Sequence, residues 1–166
     1  MELRPLGRSG RKVGAIGVCP GSEGVARRAR ERGCTLVGPD FALDGAGIVR
    51  YNLLDQKDAN LEIARFVREG RGVVASHVLA GGALAGAIGH APYGARVAQL
   101  KCLVTPERTL AQAAVQFVLA NESVSAAVVR CSTVAHLDEI LGALDAAPLT
   151  GRDLEQIFEL WANRFE

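Results

Sequence analysis

Apolar and polar positions alternate along this chain with two different periods. Five short runs are apolar at consecutive positions and are bounded by turn residues, a pattern typical of strands that are covered on both faces. These runs are "KVGAIGVC", "CTLVG", "AGIVRYN", "RGVVAS" and "VSAAVVRCS". They predict a parallel sheet, because strands between two layers of helices have no polar face.

Stretches with helical spacing follow the strands. They predict six helices, which are "GSEGVARRARERG", "DANLEIARFVREG", "YGARVAQLKCLV", "TLAQAAVQFVLAN", "TVAHLDEILGALDAA" and "TGRDLEQIFELWANRF". Ser22 and Thr109 are the predicted N-caps of two of them, and Thr150 with Asp153 has the pattern of a capping box. The N-terminal "ELRPLGRSGRKVG" has turn residues between two extended pieces and predicts a small β-hairpin.

This strand–helix alternation predicts a single α/β domain over residues 1–166. The carboxyl ends of parallel strands meet at one edge of the sheet, where such folds place their chemistry. Several polar side chains follow the predicted strands at that edge. They are Asp40, Arg50, Asn52, Ser76, His77, Arg130 and Ser132.

Composition and charge exclude several classes of protein. The 19 basic and 18 acidic residues leave a net charge of +1, and aromatic residues make up 5%. The chain therefore lacks the basic surface and the stacking rings of a nucleic-acid-binding protein. No apolar run approaches the ~20 residues of a membrane span, and the N-terminus has no signal-peptide core. We expect a cytoplasmic protein with a small-molecule substrate.

Cysteine spacing argues against a metal site. The cysteines at 19, 34, 102 and 131 form no CxxC pair, so neither a zinc site nor a disulfide framework is predicted. Cys19 and Cys131 would need a base such as His77 nearby to act as nucleophiles. The favoured interpretation is that they are buried apolar residues.

His77 and Asp40 are the predicted catalytic residues. His77 directly follows a strand, and its pKa near neutrality suits proton transfer; the alternative is a hydrogen-bonded loop histidine. Asp40 is either a carboxylate base or a turn-capping residue after Pro39. His90 and His136 are predicted to lie on the surface.

The predicted substrate-binding residues are Arg50, Asn52, Ser76, Arg130 and Ser132. Two guanidinium groups at strand ends suit bidentate binding of a carboxylate or phosphate. The alternative is that Arg50 and Arg130 form salt bridges with Asp40, Asp44 or Asp55. Asn52 also suits a purely structural role as a loop cap.

Several segments resemble the aldo-keto reductase family, in order and spacing. "LRPLGRSGRKVGAIGV" resembles the N-terminal hairpin and first strand of the family, "VRYNLLDQ" the end of its sixth strand, and "GVVASHVLAGGALAG" its seventh strand and following loop. "TLAQAAVQFVL" resembles the helix before the eighth strand, and "VSAAVVRCSTVAHLDEIL" the eighth strand and the next helix. The resemblance covers residues 1–19 and about 46–160. It implies descent from an NADPH-dependent (β/α)8 barrel.

The chain departs from that family where the family has its catalytic tetrad of Asp, Tyr, Lys and His. The second-strand motif with the Asp and Tyr is absent, and no fourth-strand histidine motif follows. On one alignment of residues 20–45, Pro39 stands in place of the lysine; on the other, this segment is a remnant of the fifth helix. Neither alignment restores the tetrad.

The cofactor residues of the family are also replaced. The resemblance aligns Ile48 with the glutamine that binds the carboxamide, and Ser76 with the tyrosine that stacks on the nicotinamide. Arg130 and Cys131 replace the Pro-Gly that opens onto the nucleotide phosphates, and Ile140 replaces an adenine-side asparagine. Hydride transfer requires a held nicotinamide and a proton donor, so the prediction is no bound cofactor, NADPH included.

The short length predicts an incomplete barrel, a half TIM-like barrel of about four to five parallel strands with flanking helices and the N-terminal hairpin. Such a sheet leaves two edges and one apolar face uncovered. We expect a homodimer that covers an exposed edge or face. The alternative is an open sheet whose face is covered by residues 83–104.

Three functions are compatible with this sequence. The favoured one is a non-redox enzyme, a lyase, isomerase or cyclase that uses acid–base chemistry on a small metabolite of a specialised biosynthetic pathway. The second is a non-catalytic pseudoenzyme that binds a partner. The third is a residual NADPH-dependent reductase whose site is completed by dimerisation.

Overall fold

A parallel sheet with helices packed against it forms the centre of the molecule. The computed structural model describes residues 1–86 and 93–165. An antiparallel hairpin comes first, and five parallel strands follow it. The hairpin consists of β1 (Leu3–Pro5) and β2 (Lys12–Gly14), and the sheet of β3 (Ile16–Pro20), β4 (Thr35–Leu36), β5 (Ala46–Arg50), β6 (Gly72–Ser76) and β7 (Ala126–Cys131). The predicted α/β fold is confirmed.

Six α-helices connect and flank these strands in the described ranges. They are α1 (Glu23–Glu31), α2 (Lys57–Arg68), α3 (Gly94–Gln99), α4 (Leu110–Ala120), α5 (Val134–Leu141) and α6 (Gly151–Ala162). The predicted caps are confirmed: Ser22 accepts from the Val25 amide, and Thr109 and Thr150 each form a full capping box. Two predicted helices are shorter than expected, because α3 and α5 each end in a 3₁₀ turn, Leu100–Leu103 and Gly142–Leu144.

The order of the strands makes the sheet an arc of a barrel. The order is β4-β3-β7-β6-β5, so the first and last strands of the parallel set are neighbours, with Ile16 opposite Ala127. Adjacent first and last strands are the closure of a (β/α)8 barrel. The arc ends at β4 on one side and at β5 on the other, and these two strands are its edges.

The outer face of the arc packs on the helices. Alternate residues of the strands, such as Val18, Val73 and Val129, belong to the main core together with apolar residues of α4 and α5. Leu84 and Leu103, from the segment 83–104, belong to this cluster as well. The described part of residues 83–104 therefore packs with the helices, and that alternative is wrong.

The inner face is covered by residues 37–45. Because β4 and β5 are parallel and lie at opposite edges, the chain must travel from the carboxyl end of β4 to the amino end of β5, across the arc. Its apolar side chains pack on the strand residues that alternate with the main core. This second cluster contains Val37, Phe41 and Leu43 from the segment, and Cys19, Val74 and Val128 from the strands.

The hairpin covers the inner face at the amino ends of β6 and β7. Leu6 and Val13 pack against Ala126, and Leu43 packs on the same group. Leu6 packs directly on Gly72. A Cβ atom added to Gly72 would lie 2.5 Å from Leu6 Cδ1. The inner face is thus covered by residues 37–45 and by the hairpin, and not by the segment 83–104 that the sequence suggested as an alternative.

One edge strand remains accessible. Ile48 of β5 is 39% exposed, while the neighbouring Ala46 backbone is engaged by Leu43 and by the Arg71 guanidinium. Dimerisation through this edge stays a prediction. None of the helices in residues 1–86 and 93–165 has the length and apolar character needed to cross a bilayer.

The C-terminal helix is attached through two polar contacts. Trp161 Nε1 donates to the Leu53 carbonyl at 2.8 Å. Buried Arg108 donates to the Leu103 and Ala147 carbonyls and pairs with Asp153 in the capping box of α6 at 3.0 Å. Phe158 of the same helix is 73% exposed.

The Arg108 contacts predict a large loss of stability in Arg108→Met. The change removes the Arg108 donor from two carbonyls and leaves the Asp153 carboxylate with the Thr150 amide but without its cation, so we expect about 3 kcal/mol less free energy of unfolding in urea titrations. Arg30→Met, which breaks an exposed pair with Glu23, should change it by less than about 0.5 kcal/mol. Equal losses in the two variants would contradict the assigned role.

The same pair predicts a pH dependence. Burial alone would raise the pKa of Asp153, but hydrogen bonds from Thr150 and Arg108 outweigh it and lower the pKa. The stabilisation is therefore complete above the unfolded-state pKa of about 4 and is lost as the pH falls through the lower folded-state pKa. The stability difference between wild type and Arg108→Met should shrink over that acidic range.

Candidate functional site

A cleft of about 660 Å³ opens at the carboxyl ends of β6 and β7. One wall is the loop that follows β6, including the 3₁₀ turn Ala80–Ala85, and the other is the end of β7 with the start of α5. Apolar residues such as Leu79 and Ile140 form most of the lining. The polar and aromatic side chains in the lining are Phe41, His77, Arg130, Ser132, His136 and Glu139.

His77 lies at the mouth of this cleft with a defined ring orientation. Its Nδ1 is 3.2 Å from the Ser76 hydroxyl. That hydroxyl donates to the Val49 carbonyl at 3.2 Å, so it accepts from His77 when the proton is on Nδ1. The arrangement is satisfied by the Nδ1–H tautomer and leaves Nε2 as the basic nitrogen.

The surroundings of His77 favour its neutral form. Burial lowers the pKa of His77, the positive charge of Arg50 lowers it further, and Asp55 opposes both effects. A histidine with a pKa below its usual value is unprotonated at neutral pH. His77 is therefore prepared to accept a proton.

Arg130 lies on the opposite wall of the cleft. Its guanidinium is 5.7 Å from the Phe41 ring centre and donates to the Pro39 carbonyl at 3.5 Å. Both contacts come from the segment that crosses the inner face. Ser132, two residues further along the chain, lines the same wall.

The other predicted site residues lie outside the cleft lining. Arg50 pairs with Asp55 at 3.1 Å, one of the salt bridges considered from the sequence. The Asp40 carboxylate accepts from the Ala42 amide at 3.3 Å and caps a turn. The structure thus brings His77, Arg130 and Ser132 together in the cleft. Arg50 lies outside the lining, but close enough for its charge to act on His77, and Asp40 caps its turn outside the lining.

Asn52 and Ser76 hold the loop that carries His77. Asn52 is 1% exposed; its amide donates to the His77 carbonyl at 3.0 Å and its oxygen accepts from the Leu54 amide at 2.8 Å. His77 itself has a left-handed backbone, with φ 56°. A non-glycine residue in that region persists only where its surroundings fix it, which Asn52 and Ser76 do here.

Three of the polar and aromatic side chains in the cleft lining, Phe41, His136 and Glu139, were not predicted as site residues. His136 and Glu139 lie in the first two turns of α5, whose N-cap is Thr133, and Glu139 accepts a hydrogen bond from Thr109 at 3.0 Å. Helix starts after strand ends face this edge of the sheet, so the sequence held a signal for both. Phe41 carried none. His90 lies outside the described residues.

The cysteines near the cleft have the properties of core residues. Burial raises the pKa of Cys131 to about 11, with further contributions from Cys34 and Cys19. A thiol with so high a pKa has almost no thiolate at neutral pH. In the described ranges, no cluster of three or more His, Cys, Asp or Glu side chains is arranged to hold a metal ion.

The positions that the family uses for nicotinamide do not fit that group here. The Ile48 side chain offers no hydrogen bond to a carboxamide. Ser76 is buried beneath the His77 ring and offers no ring for stacking. The Cys131 carbonyl is already bonded to the Gly21 amide at 2.8 Å. Only Arg130 has a side chain suited to an anionic group.

Comparisons with known proteins agree with this architecture. A family model described as the aldo/keto reductase family matches residues 45–162. The holo form of aldo-keto reductase AKR11C1 from Bacillus halodurans is similar in structure, with a TM-score of 0.59 and 17% identity over 87% of this chain and 57% of that chain. Its apo form gives a TM-score of 0.54 and 19% identity over 87% and 61%.

At such identities these likenesses show the fold alone, and this chain spans less than two thirds of the length of the solved chains it matches. No curated protein sequence matches it with significance.

The contacts of His77 predict opposite effects of two charge changes. Arg50→Gln removes a positive charge that disfavours the imidazolium, so the pKa of His77 should rise toward its usual value. Asp55→Asn removes the opposing negative charge and should lower it further. Histidine carbon–proton NMR spectra recorded against pH measure both shifts. Shifts of the same sign in the two variants would contradict the electrostatic account.

Proposed function

The chain belongs to the aldo-keto reductase family, and we propose that on this scaffold it performs non-redox acid–base chemistry on a small anionic metabolite. Cyclisation, dehydration and isomerisation are the reactions that suit such a site. The observation that carries the proposal is one cleft with His77 on one wall and Arg130 on the other, and burial and Arg50 lower the pKa of His77.

Arg130 supplies the binding of the anion. A guanidinium presents several donors in one plane and suits a carboxylate or a phosphate. Apolar residues make up most of the lining around this exposed guanidinium, and they offer contacts to the uncharged part of the metabolite. Ser132 adds a hydroxyl on the same wall.

His77 supplies the proton transfer. Its Nε2 accepts a proton from a carbon or hydroxyl of the bound metabolite and returns it at another atom of the same molecule, so no redox partner is needed. The Ser76 hydroxyl holds the ring through Nδ1 during both steps. Arg50 disfavours the imidazolium, and this favours return of the proton.

The composition of the cleft supports this function over carbonyl reduction. Among the described residues of the lining there is no tyrosine or lysine, the types that accompany the histidine and aspartate of the family's tetrad. The nicotinamide positions hold Ile48 and Ser76, as described above. Binding without turnover, and a reductase completed by a second copy, are the competing proposals.

A deuterium-exchange assay tests the proposed function directly. The protein is incubated in D2O with a panel of small hydroxy, keto and unsaturated carboxylates and phosphates, and exchange at carbon is followed by proton NMR. We expect exchange in at least one compound, and a loss of 100-fold or more in His77→Gln, the range of general acid–base catalysis. Arg30→Met, on the exposed surface of α1 and outside the cleft lining, should keep wild-type exchange.

Titration of NADPH, followed by fluorescence with the mass measured in the same run, separates the competing proposals. The proposed function predicts no saturable binding at micromolar concentrations. Micromolar binding by a dimer would favour the reductase instead. Exchange that is absent throughout the panel, in a protein that binds a partner, would favour the pseudoenzyme.

A further inference from the structure

One aromatic ring bridges the two polar groups of the cleft. The Phe41 ring lies edge-on to the His77 ring, with centres 6.0 Å apart and an interplanar angle of 69°. The ring also contacts the Arg130 guanidinium, which lies 5.7 Å from the ring centre. Phe41 belongs to neither wall, because it comes from the crossing segment 37–45.

The backbone around Phe41 fixes the position of this ring. Phe41 has φ 57°, a left-handed conformation that is rare for an aromatic residue and needs support from its surroundings. The Phe41 amide donates to the Gly38 carbonyl at 3.0 Å, and the Asp40 carboxylate accepts from the Ala42 amide. The closed turn therefore fixes the backbone from which the ring projects.

Covering the inner face does not by itself explain Phe41. Leu43 covers the same face, packs on both inner clusters, and lies outside the cleft lining. Phe41 packs on that face as well, but it also lines the cleft. Leu43 therefore only covers the inner face, whereas Phe41 also reaches His77 and Arg130.

We infer that Phe41 is a positioning residue, whose ring holds Arg130 and His77 at the separation the proposed reaction uses and offers its surface to the apolar part of the ligand. This inference rests on the proposed function and deepens it. The ligand class it implies is a small carboxylate or phosphate joined to a flat apolar body. The anionic group lies at Arg130, and the apolar body lies among Phe41, Leu79 and Ile140.

Benzoate is a suitable probe, since it combines a carboxylate with a flat apolar body. Its binding is measured by the shift of the His77 imidazole signals in NMR titrations of the full chain. Phe41→Leu keeps an apolar cover but removes the ring, and should weaken benzoate binding about three- to tenfold, the scale of a cation–π contact. Phe41→Tyr keeps the ring and should retain binding within about twofold.

Leu43→Ala is the matched control from the same segment. It removes part of the cover without touching the cleft, so it should lower the melting temperature and leave benzoate affinity within about twofold. Melting curves of Phe41→Leu show whether that variant is folded. Two readouts distinguish a positioning role of the Phe41 ring from simple cover of the inner face. Phe41→Tyr should retain benzoate binding because it keeps the ring, and the His77 signals report on the cleft and not on the inner face.

The outcomes separate the two levels of the argument. Benzoate binding in wild type, weakened in Phe41→Leu and unchanged in Leu43→Ala, supports the inference. Equal affinity in wild type and Phe41→Leu, or equal weakening in Phe41→Leu and Leu43→Ala, overturns the role of the ring and leaves the anion-binding cleft in place. Failure of wild type to shift its His77 signals overturns the anion-binding cleft together with the inference.

Discussion

Parallel pairing requires every strand to begin at the same end of the sheet, and the rest of this structure depends on that constraint. A chain that leaves β4 at one edge of the arc and enters β5 at the other must cross the sheet from its carboxyl to its amino end. Residues 37–45 make this crossing on the inner face. An open arc would otherwise expose a face of small apolar residues to water, so the connection that the topology requires also fills the space.

The same crossing gives the site its character. The cleft lies between β6 and β7, where the family has its cofactor side, yet its polar groups are contacted by a turn that belongs to the crossing segment. Fold and site are thus coupled through one short stretch. The strand ends supply His77 and Arg130, and the crossing segment supplies the ring that touches both.

Local signals account for what could be predicted from the sequence. Serine and threonine caps act on the next three residues, so Ser22, Thr109 and Thr150 could be assigned without tertiary information. Apolar runs predicted the five strands, and the family resemblance assigned the last three of them to the sixth, seventh and eighth strands of the family. Apolar and polar residues do not alternate regularly in the crossing segment, so the sequence could not predict its packing on Cys19 and Val128. The left-handed backbone of His77 is held by a distant partner, through the bond from the Asn52 side chain to the His77 carbonyl. For the same reason, the pairing of Arg50 with Asp55 remained one choice among several.

The pairing of β3 with β7 has a consequence for how the chain acquires this structure. The partner of Ile16 is Ala127, so β3 must wait for a strand that is synthesised much later in the chain. Until then β3 has only the two-residue β4 as a neighbour, and a short two-stranded pair is not stable alone. Such long-range pairing slows folding and lengthens the exposure of apolar strands. A ribosome-bound chain ending before residue 126 is therefore expected to depend on chaperones, and the hairpin with its Leu6 side chain docks only once the late strand is in place.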